Sequence, residues 1–345
     1  MPVQTSRITV VVDAMGGDRA PQAVVTGAVV AARVLPDVDI ILTGDEAAVT
    51  PLLAAAAPIP ANITLQHTPQ WVEMCEPPGA AIRQKPNSSI AVGMRMVRDG
   101  KAQAIVSAGN SGAMMAGAMI ILKAQPGIDR PAIATPLPTA NGRQAILLDA
   151  GATTDCKPSN LVQFAQLGST HASAVFQYPR PTVGLLSIGE EPSKGDELTK
   201  ETHKLLAAGH LNFVGNVEPK EVLRGNVDVT VCDGFVGNLM LKASESVSDL
   251  VITVLKSALN SHWLYKLGAW LAKPAFQQVK KSLDYAEYGG ALLLGVNGIV
   301  VIGHGRSNER AIENAIRVAV RSAQVYGTLT PATPRDTSDN PPDLS

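Results

Sequence analysis

Short apolar runs alternate along this chain with longer stretches in which apolar residues recur every three or four positions. The runs 8–12, 38–42, 63–65, 104–106, 133–135, 145–148, 182–187, 212–214, 227–231, 291–294 and 299–302 read as strands. They are nearly all apolar, as expected of parallel strands covered on both faces. Helical spacing predicts helices over 21–35, 88–98, 112–123, 160–176, 196–207 and 308–326, with an Ala-rich one between the second and third strands. Gly100 and Gly327 are expected to end two of them. A longer helical region runs from about 238 to 283, with breaks expected near Gly268 and Pro274. The alternation predicts a three-layer α/β/α fold with a mostly parallel sheet. One catalytic domain is expected over 1–330, and a disordered Pro/Asp-rich tail over 331–345.

Six of the strands end in a small polar loop rich in Gly, Asn, Asp or Ser. The segments are 8–18, 104–113, 145–153, 183–196, 227–238 and 299–308. In an open parallel sheet such ends converge on one edge, where ligands bind. Helix N-termini beyond the loops suit an anion. An enzyme with one shared cleft is the first expectation.

Composition narrows the class. The 345 residues carry a net charge of −1 with 46% apolar content. This gives no general attraction to nucleic acid. Cys75, Cys156 and Cys232 are far apart and form no CxxC pair, so reduced cytosolic thiols are expected rather than disulfides or a zinc site. The first residues lead straight into a strand without a signal-type apolar run. No apolar run is long enough to span a bilayer. A cytoplasmic protein is expected.

The segment Ser107-Ala-Gly-Asn-Ser-Gly112 is the best anion-site candidate. Gly109 and Gly112 would let backbone N–H groups approach a ligand, and Asn110 or Ser111 could cap the helix and donate to an oxygen. An ordinary strand-to-helix cap is the competing reading. Asp13 and Asp149 each follow a strand and could bind a cation, orient a lysine or cap a helix. Lys194 sits in a charged loop and could swing into the cleft as a phosphate clamp, or stay solvated. Asp233 and Asn238 would face the same edge as cleft-lining orienters. His304, between two glycines, is a candidate acid, and Cys232 reads as a core thiol. The strict dinucleotide and Walker patterns are absent, so no nucleotide cofactor and no metal is expected. Gly109-x-Ser111-x-Ala113 approximates a nucleophile elbow. Followed by Asp149 or Asp233 and then His304, it keeps a serine esterase or thioesterase open.

The stretch 251–283 has no acidic residue and two of the three tryptophans. Trp263, Leu267, Trp270 and Leu271 share one helical face, flanked by Lys266 and Lys273. A projecting helical hairpin that docks reversibly on anionic membrane is one reading, and a buried dimer helix is the other.

Read in order, the stretches VVDAMGGD, SAGNSGAMMAGA, RPAIATPLPT, LLDAGAT, GLLSIGEEPSKGDELTKE, NFVGNVEP, VCDGFVGN, YGGALLLGVNG and GHGRSN closely resemble the bacterial phosphate acyltransferase family, PlsX. The resemblance covers about 8–326. It implies transfer of a fatty acyl group from an acyl carrier protein thioester to inorganic phosphate. The acyl phosphate would feed a membrane glycerol-phosphate acyltransferase in phospholipid synthesis. A coenzyme A thioester is the alternative donor. The resemblance also implies a homodimer and a fold similar to isocitrate and isopropylmalate dehydrogenases and to phosphotransacetylase. Phosphate is already an anionic nucleophile, so the chemistry asks for positioning and oxyanion stabilisation rather than a strong base. On this reading Asn110, Ser111 and Gly112 form the phosphate or oxyanion cradle, with Lys194 as the cation.

Overall fold

A computed structural model describes residues 7–283, 287 and 289–329. The expected disorder of 331–345 lies outside the described residues. Eleven strands are described: β1 (Ile8–Asp13), β2 (Val38–Gly44), β3 (Ile63–His67), β4 (Ala104–Ser107), β5 (Ala132–Pro138), β6 (Gln144–Leu148), β7 (Val183–Leu186), β8 (Phe213–Val217), β9 (Val229–Val231), β10 (Ala291–Leu294) and β11 (Ile299–Ile302). The helices are α1 (Gln22–Val34), α2 (Glu46–Ala55), α3 (Pro78–Gln84), α4 (Ser89–Arg98), α5 (Ser111–Gly117), α6 (Pro158–Val175), α7 (Glu197–Ala207), α8 (Pro219–Arg224), α9 (Gly234–Asn260), α10 (Trp263–Leu271), α11 (Lys273–Leu283) and α12 (Glu309–Leu329). A π turn, Ala118–Leu122, continues α5. The short α3 and α8 carry too few residues to show helical periodicity in the sequence.

All eleven strands join one sheet in the order β3-β2-β1-β4-β11-β10-β5-β6-β9-β7-β8. Alternation along β1 assigns its residues to two cores. Val10 and Val12 pack with the cluster under α1, α6 and α12, while Val11 packs with the cluster under α3, α4 and α5. Small residues bring the helices close. A Cβ on Gly27 of α1 would lie 2.5 Å from the Glu309 carbonyl oxygen at the start of α12. Three layers therefore follow from the pattern, as expected.

The sheet is mostly parallel, as expected, but its two halves differ in direction. β1, β2, β3, β4 and β11 are mutually parallel, and so are β6, β9, β7 and β8. Between the two sets, β10 is antiparallel to β11 and to β5, and β5 is antiparallel to β6. The two halves thus run in opposite directions. The loops after β1, β4 and β11 leave one edge, and those after β6, β7 and β9 leave the other. Convergence of six loops on one edge is overturned. Three antiparallel pairings in a row, an odd number, set the halves in opposite directions; β10–β5 joins strands distant in the chain, and the other two are closed by tight connections, 139–143 and 295–298, each holding an Asn-Gly pair. A connection that short can only reverse the chain, because a parallel return needs a dozen or more residues.

The helical region after β9 breaks at Ala272, close to the break expected near Pro274, and around Ser261–His262 rather than near Gly268. His262 caps α10 by accepting the Leu264 N–H at Nδ1. Gly268 lies inside α10, and Pro274 sits in the first turn of α11, where a missing N–H does no harm. Gly327 lies inside α12 and does not end it.

Candidate active site

The reversal leaves an uncovered strip on the front face, over β5 and β10, between α5 and α9. A cavity of about 400 Å³ fills it. Its floor includes Ile133, Thr135 and Leu137, alternate residues of β5. Gly109, Asn110 and Ser111 enter from one edge with Gly303, His304 and Ser307, and Ala150 and Gly151 enter from the other. One face of α9 supplies Asn238, Leu241, Lys242, Glu245 and Ser248.

Buried carboxylates build both walls. Asp13 accepts the Ser107 hydroxyl at 2.6 Å and the Met15 N–H at 3.1 Å. Burial raises its carboxyl pKa, against the pull of hydrogen bonds led by Ser107. Ser107 Oγ in turn accepts the Gly109 N–H at 3.0 Å. The Asp18 N–H donates to the Gly305 carbonyl at 2.8 Å, tying the β1 loop to the β11 loop. The β1 loop is therefore a buttress behind the cavity. On the opposite wall, Asp149 Oδ1 accepts the N–H groups of Ile133, Gly151 and Ala152, and Oδ2 accepts that of Thr153 at 2.6 Å. Neither aspartate caps a helix, since α1 starts at Gln22 and α6 at Pro158; each instead ties its own strand-end turn to a neighbouring strand.

Asn110 has no amide hydrogen aimed at a ligand. Its Oδ1 accepts the Ala113 N–H at 3.0 Å, and its Nδ2 donates to the carbonyls of Met74 at 3.1 Å and Glu76 at 3.0 Å. The residue caps α5 and holds the 73–76 loop, which places Met74 at the cavity mouth. Gly112 is absent from the described lining. A Cβ there would stand 2.5 Å from Pro78 Cγ, so its smallness serves contact with α3. Ser111 is exposed and lines the cavity.

Lys194 and Asp233 also stand outside the described lining. Lys194 is exposed in the loop after β7, the next-to-last strand of the other half. Asp233 caps α9, its Oδ1 accepting the N–H groups of Phe235 at 2.8 Å and Val236 at 3.0 Å. It orients the helix, and through it Asn238, without facing the cavity. Lys242 is the lysine that lines the cavity, and loop composition does not single it out. Helical spacing puts Lys242 on one face with Asn238, Leu241 and Glu245, but only the structure turns that face inward.

His304 is half-buried, and its Nδ1 accepts the Arg306 N–H at 3.2 Å. That bond assigns the neutral ring's proton to Nε2. Burial lowers its pKa, and the nearby Arg306 and Lys242 cations add to this against Glu245 and Asp18. The group is a neutral hydrogen-bond donor near pH 7 rather than a strong acid. With Nδ1 taken by the Arg306 N–H, the ring's basic nitrogen is not turned to a serine hydroxyl as a Ser–His–Asp relay requires. Cys232 is buried and its thiol is pushed well up, while Cys156 is pushed up to about 12, in both cases mainly by burial. Neither offers a thiolate near neutral pH.

Among known proteins, the family model described as "Fatty acid synthesis protein" matches residues 8–326. A phosphate acyltransferase from Syntrophotalea carbinolica is 49% identical over 316 residues, 92% of this chain and 90% of that one. Among solved structures, a phosphotransacetylase from Streptococcus pyogenes aligns with a TM-score of 0.61 at 15% identity, over 93% of this chain and 95% of that chain. The EutD phosphotransacetylase from Staphylococcus aureus aligns with a TM-score of 0.57 at 18% identity, over 92% and 94%. These two likenesses concern the fold, while the match over nearly the whole sequence concerns descent. The chain belongs to the fatty acid synthesis protein family, that of the phosphate acyltransferases.

Proposed function

We propose that the protein transfers a fatty acyl group from an acyl carrier protein thioester to inorganic phosphate, releasing acyl phosphate and the free carrier thiol. One observation carries this reading: a single cavity joins an apolar floor, Ile133, Leu137 and Leu241, to a polar end holding Ser111, Lys242 and His304. An acyl chain and an anion can share that space. A phosphate oxygen attacks the thioester carbonyl carbon, the C–O bond forms, and the C–S bond breaks as the tetrahedral oxyanion collapses. The thiolate leaves and takes a proton from solvent or a cavity donor. Lys242 holds phosphate, and the His304 Nε2–H and Ser111 hydroxyl stabilise the oxyanion. Asn238, beside Gly151, orients the donor. The testing experiment is thiol release from an acyl carrier protein thioester, with and without phosphate. Release should require phosphate and yield acyl phosphate. Equal release without phosphate would refute the reading in favour of a thioesterase, and a clear preference for coenzyme A thioester would replace the donor.

The exposed faces of the long helices support two further parts of this reading. Phe235, Leu239, Val247, Leu250 and Val254 of α9 are all exposed, and a second copy of the chain covers them in a homodimer. Trp263, Leu267, Trp270 and Leu271 of α10 are between 49% and 69% exposed, and Lys266 and Lys273 are exposed beside them. This arm of helices docks the enzyme peripherally on anionic membrane, where a glycerol-phosphate acyltransferase would take the product. No helix among the described residues is long and apolar enough to cross a membrane.

A further inference from the structure

A second cavity lies behind the first, on the rear face of the sheet. Its volume is about 180 Å³. The floor is Ala134 and Pro136 of β5, Ile146 of β6 and Leu292 of β10; Pro136 and Gly290 border both cavities. Val175 and Phe176 from the α6 end and Val318 from α12 complete apolar walls. The space is below the range of drug-sized pockets, about 300–1,000 Å³. It suits a compact metabolite.

Its polar side chains, Gln144, His171, Glu287, Arg321 and Ser322, are few and separated. Arg321 stands at the rim, donates to the Val175 carbonyl and lies 5.9 Å from the Phe176 ring centre. Among the described residues no carboxylate pairs with it. Glu287 also lines the cavity, but Arg310 holds its two oxygens at 2.7 and 2.9 Å. Ser322 is 1% exposed, and its hydroxyl has no hydrogen-bond partner. A serine in a helix ordinarily bonds back to a carbonyl one turn earlier. An unpaired buried hydroxyl costs about 1–3 kcal/mol unless something fills its need. His171, 4% exposed, borders the same space with Nδ1 2.8 Å from the Tyr326 hydroxyl. Burial and then the Arg321 charge hold this imidazole neutral, so Arg321 is the cation that faces a ligand.

We propose that the rear cavity binds a short hydroxycarboxylate, with its carboxylate on Arg321 at the rim, its hydroxyl on Ser322 at the base, and its carbon skeleton between Val175, Leu292 and Val318. Neither half of this recognition serves the acyl transfer on the front face. The ligand would be a small molecule distinct from phosphate and from the long-chain donor.

The test is calorimetric titration of the whole protein with 3-hydroxybutyrate and with butyrate, in the absence of acyl donor. The hydroxy acid should bind at millimolar concentration and butyrate about tenfold more weakly, since butyrate leaves Ser322 unpaired. Ser322→Ala removes an unpartnered hydroxyl and should fold normally. It should abolish the preference while retaining binding of both acids. Arg321→Gln should weaken both. Absence of saturable binding would mark a solvent-filled void and overturn the proposal. So would equal affinity for the two acids in the unaltered protein. Binding lost in Lys242→Ala but kept in Arg321→Gln would place the ligand in the front cavity instead. Because no turnover is measured, failure here is separable from failure of the acyl-transfer reading.

Discussion

The two halves of the sheet solve the same local problem and end up in different positions. In the β1–β4–β11 half, the loops after β4 and β11 line the cavity, with the β1 loop locked behind them through Asp13, Ser107 and the Asp18 contact to Gly305. In the β6–β9–β7 half, the loop after β6 and the helix after β9 reach the cavity, and the loop after β7 does not. Both halves use strand-end aspartates, small polar residues and a helix start. The difference is distance from the seam where strand direction flips. A strand-end loop is functional here because it borders β10 and β5, and its composition alone does not say so.

The largest test of this comparison is Gly237→Ala. A Cβ at Gly237 would sit 1.9 Å from the Asp149 carbonyl oxygen, where the start of α9 presses on the β6 turn. Backbone cannot yield there as a flexible side chain would. Destabilisation of about 3 kcal/mol or more is expected in urea or thermal unfolding. A variant as stable as the parent would mean that α9 is not seated on this turn.

The next concerns the rear tie between the halves, the bond from His171 on α6 to Tyr326 on α12. His171 has its pKa lowered from 6.5 to about 4, first by burial and then by Arg321. The unfolded chain therefore binds this proton more readily than the folded one. Stability attributable to this group is complete above pH 6.5 and falls as the pH drops from there through about 4. The loss is up to about 3 kcal/mol. The parent minus His171→Gln difference in unfolding free energy, followed from pH 8 to about 4, should show this slope. A flat difference would remove the burial argument.

Lys242 and Lys194 then sharpen the contrast between seam and outer strand. Lys242→Ala should lower phosphate-dependent turnover or raise the phosphate KM by about ten- to a hundredfold, the loss of one charge-assisted hydrogen bond. Lys194→Ala should leave both near the parent values. The reverse result would return the β7 loop to the site and show that the halves close further than this structure does. The smallest effect is expected farthest from the seam. Trp263→Glu and Leu267→Glu should weaken binding to anionic liposomes with soluble activity kept. Unchanged binding in both would remove the membrane role, and a dimer that falls apart would make α10 an interface helix.

Much of this was legible in the chain. Nearly every helix and strand lies within a few residues of its expected place, because apolar spacing and cap residues such as Ser88, Asp196 and Asn308 act locally. Ser111, Asn238 and His304 also stand out in the chain, through loop composition. Asn110 stands out too, but its role differs from the expected one. A side-chain amide beside a helix start looks the same in sequence whether it faces a ligand or the carbonyls of Met74 and Glu76. Lys242 does not stand out, because its relevance depends on which face of α9 turns inward.

The sequence by itself determined most of the elements, a sheet covered on both faces, and membership of a family. Those follow from local periodicity and from motifs that need no partner to be read. Only the tertiary structure decided which loops meet. A buried strand has the same apolar run in either direction, so its pattern does not say which edge its end will face. The two Asn-Gly hairpins are local, but two reversals alone would cancel, and the third, between β10 and β5, appears only when strands distant in the chain are hydrogen-bonded side by side. The reversal that the three pairings impose together opens the seam, and the seam, rather than any single motif, makes the cavity.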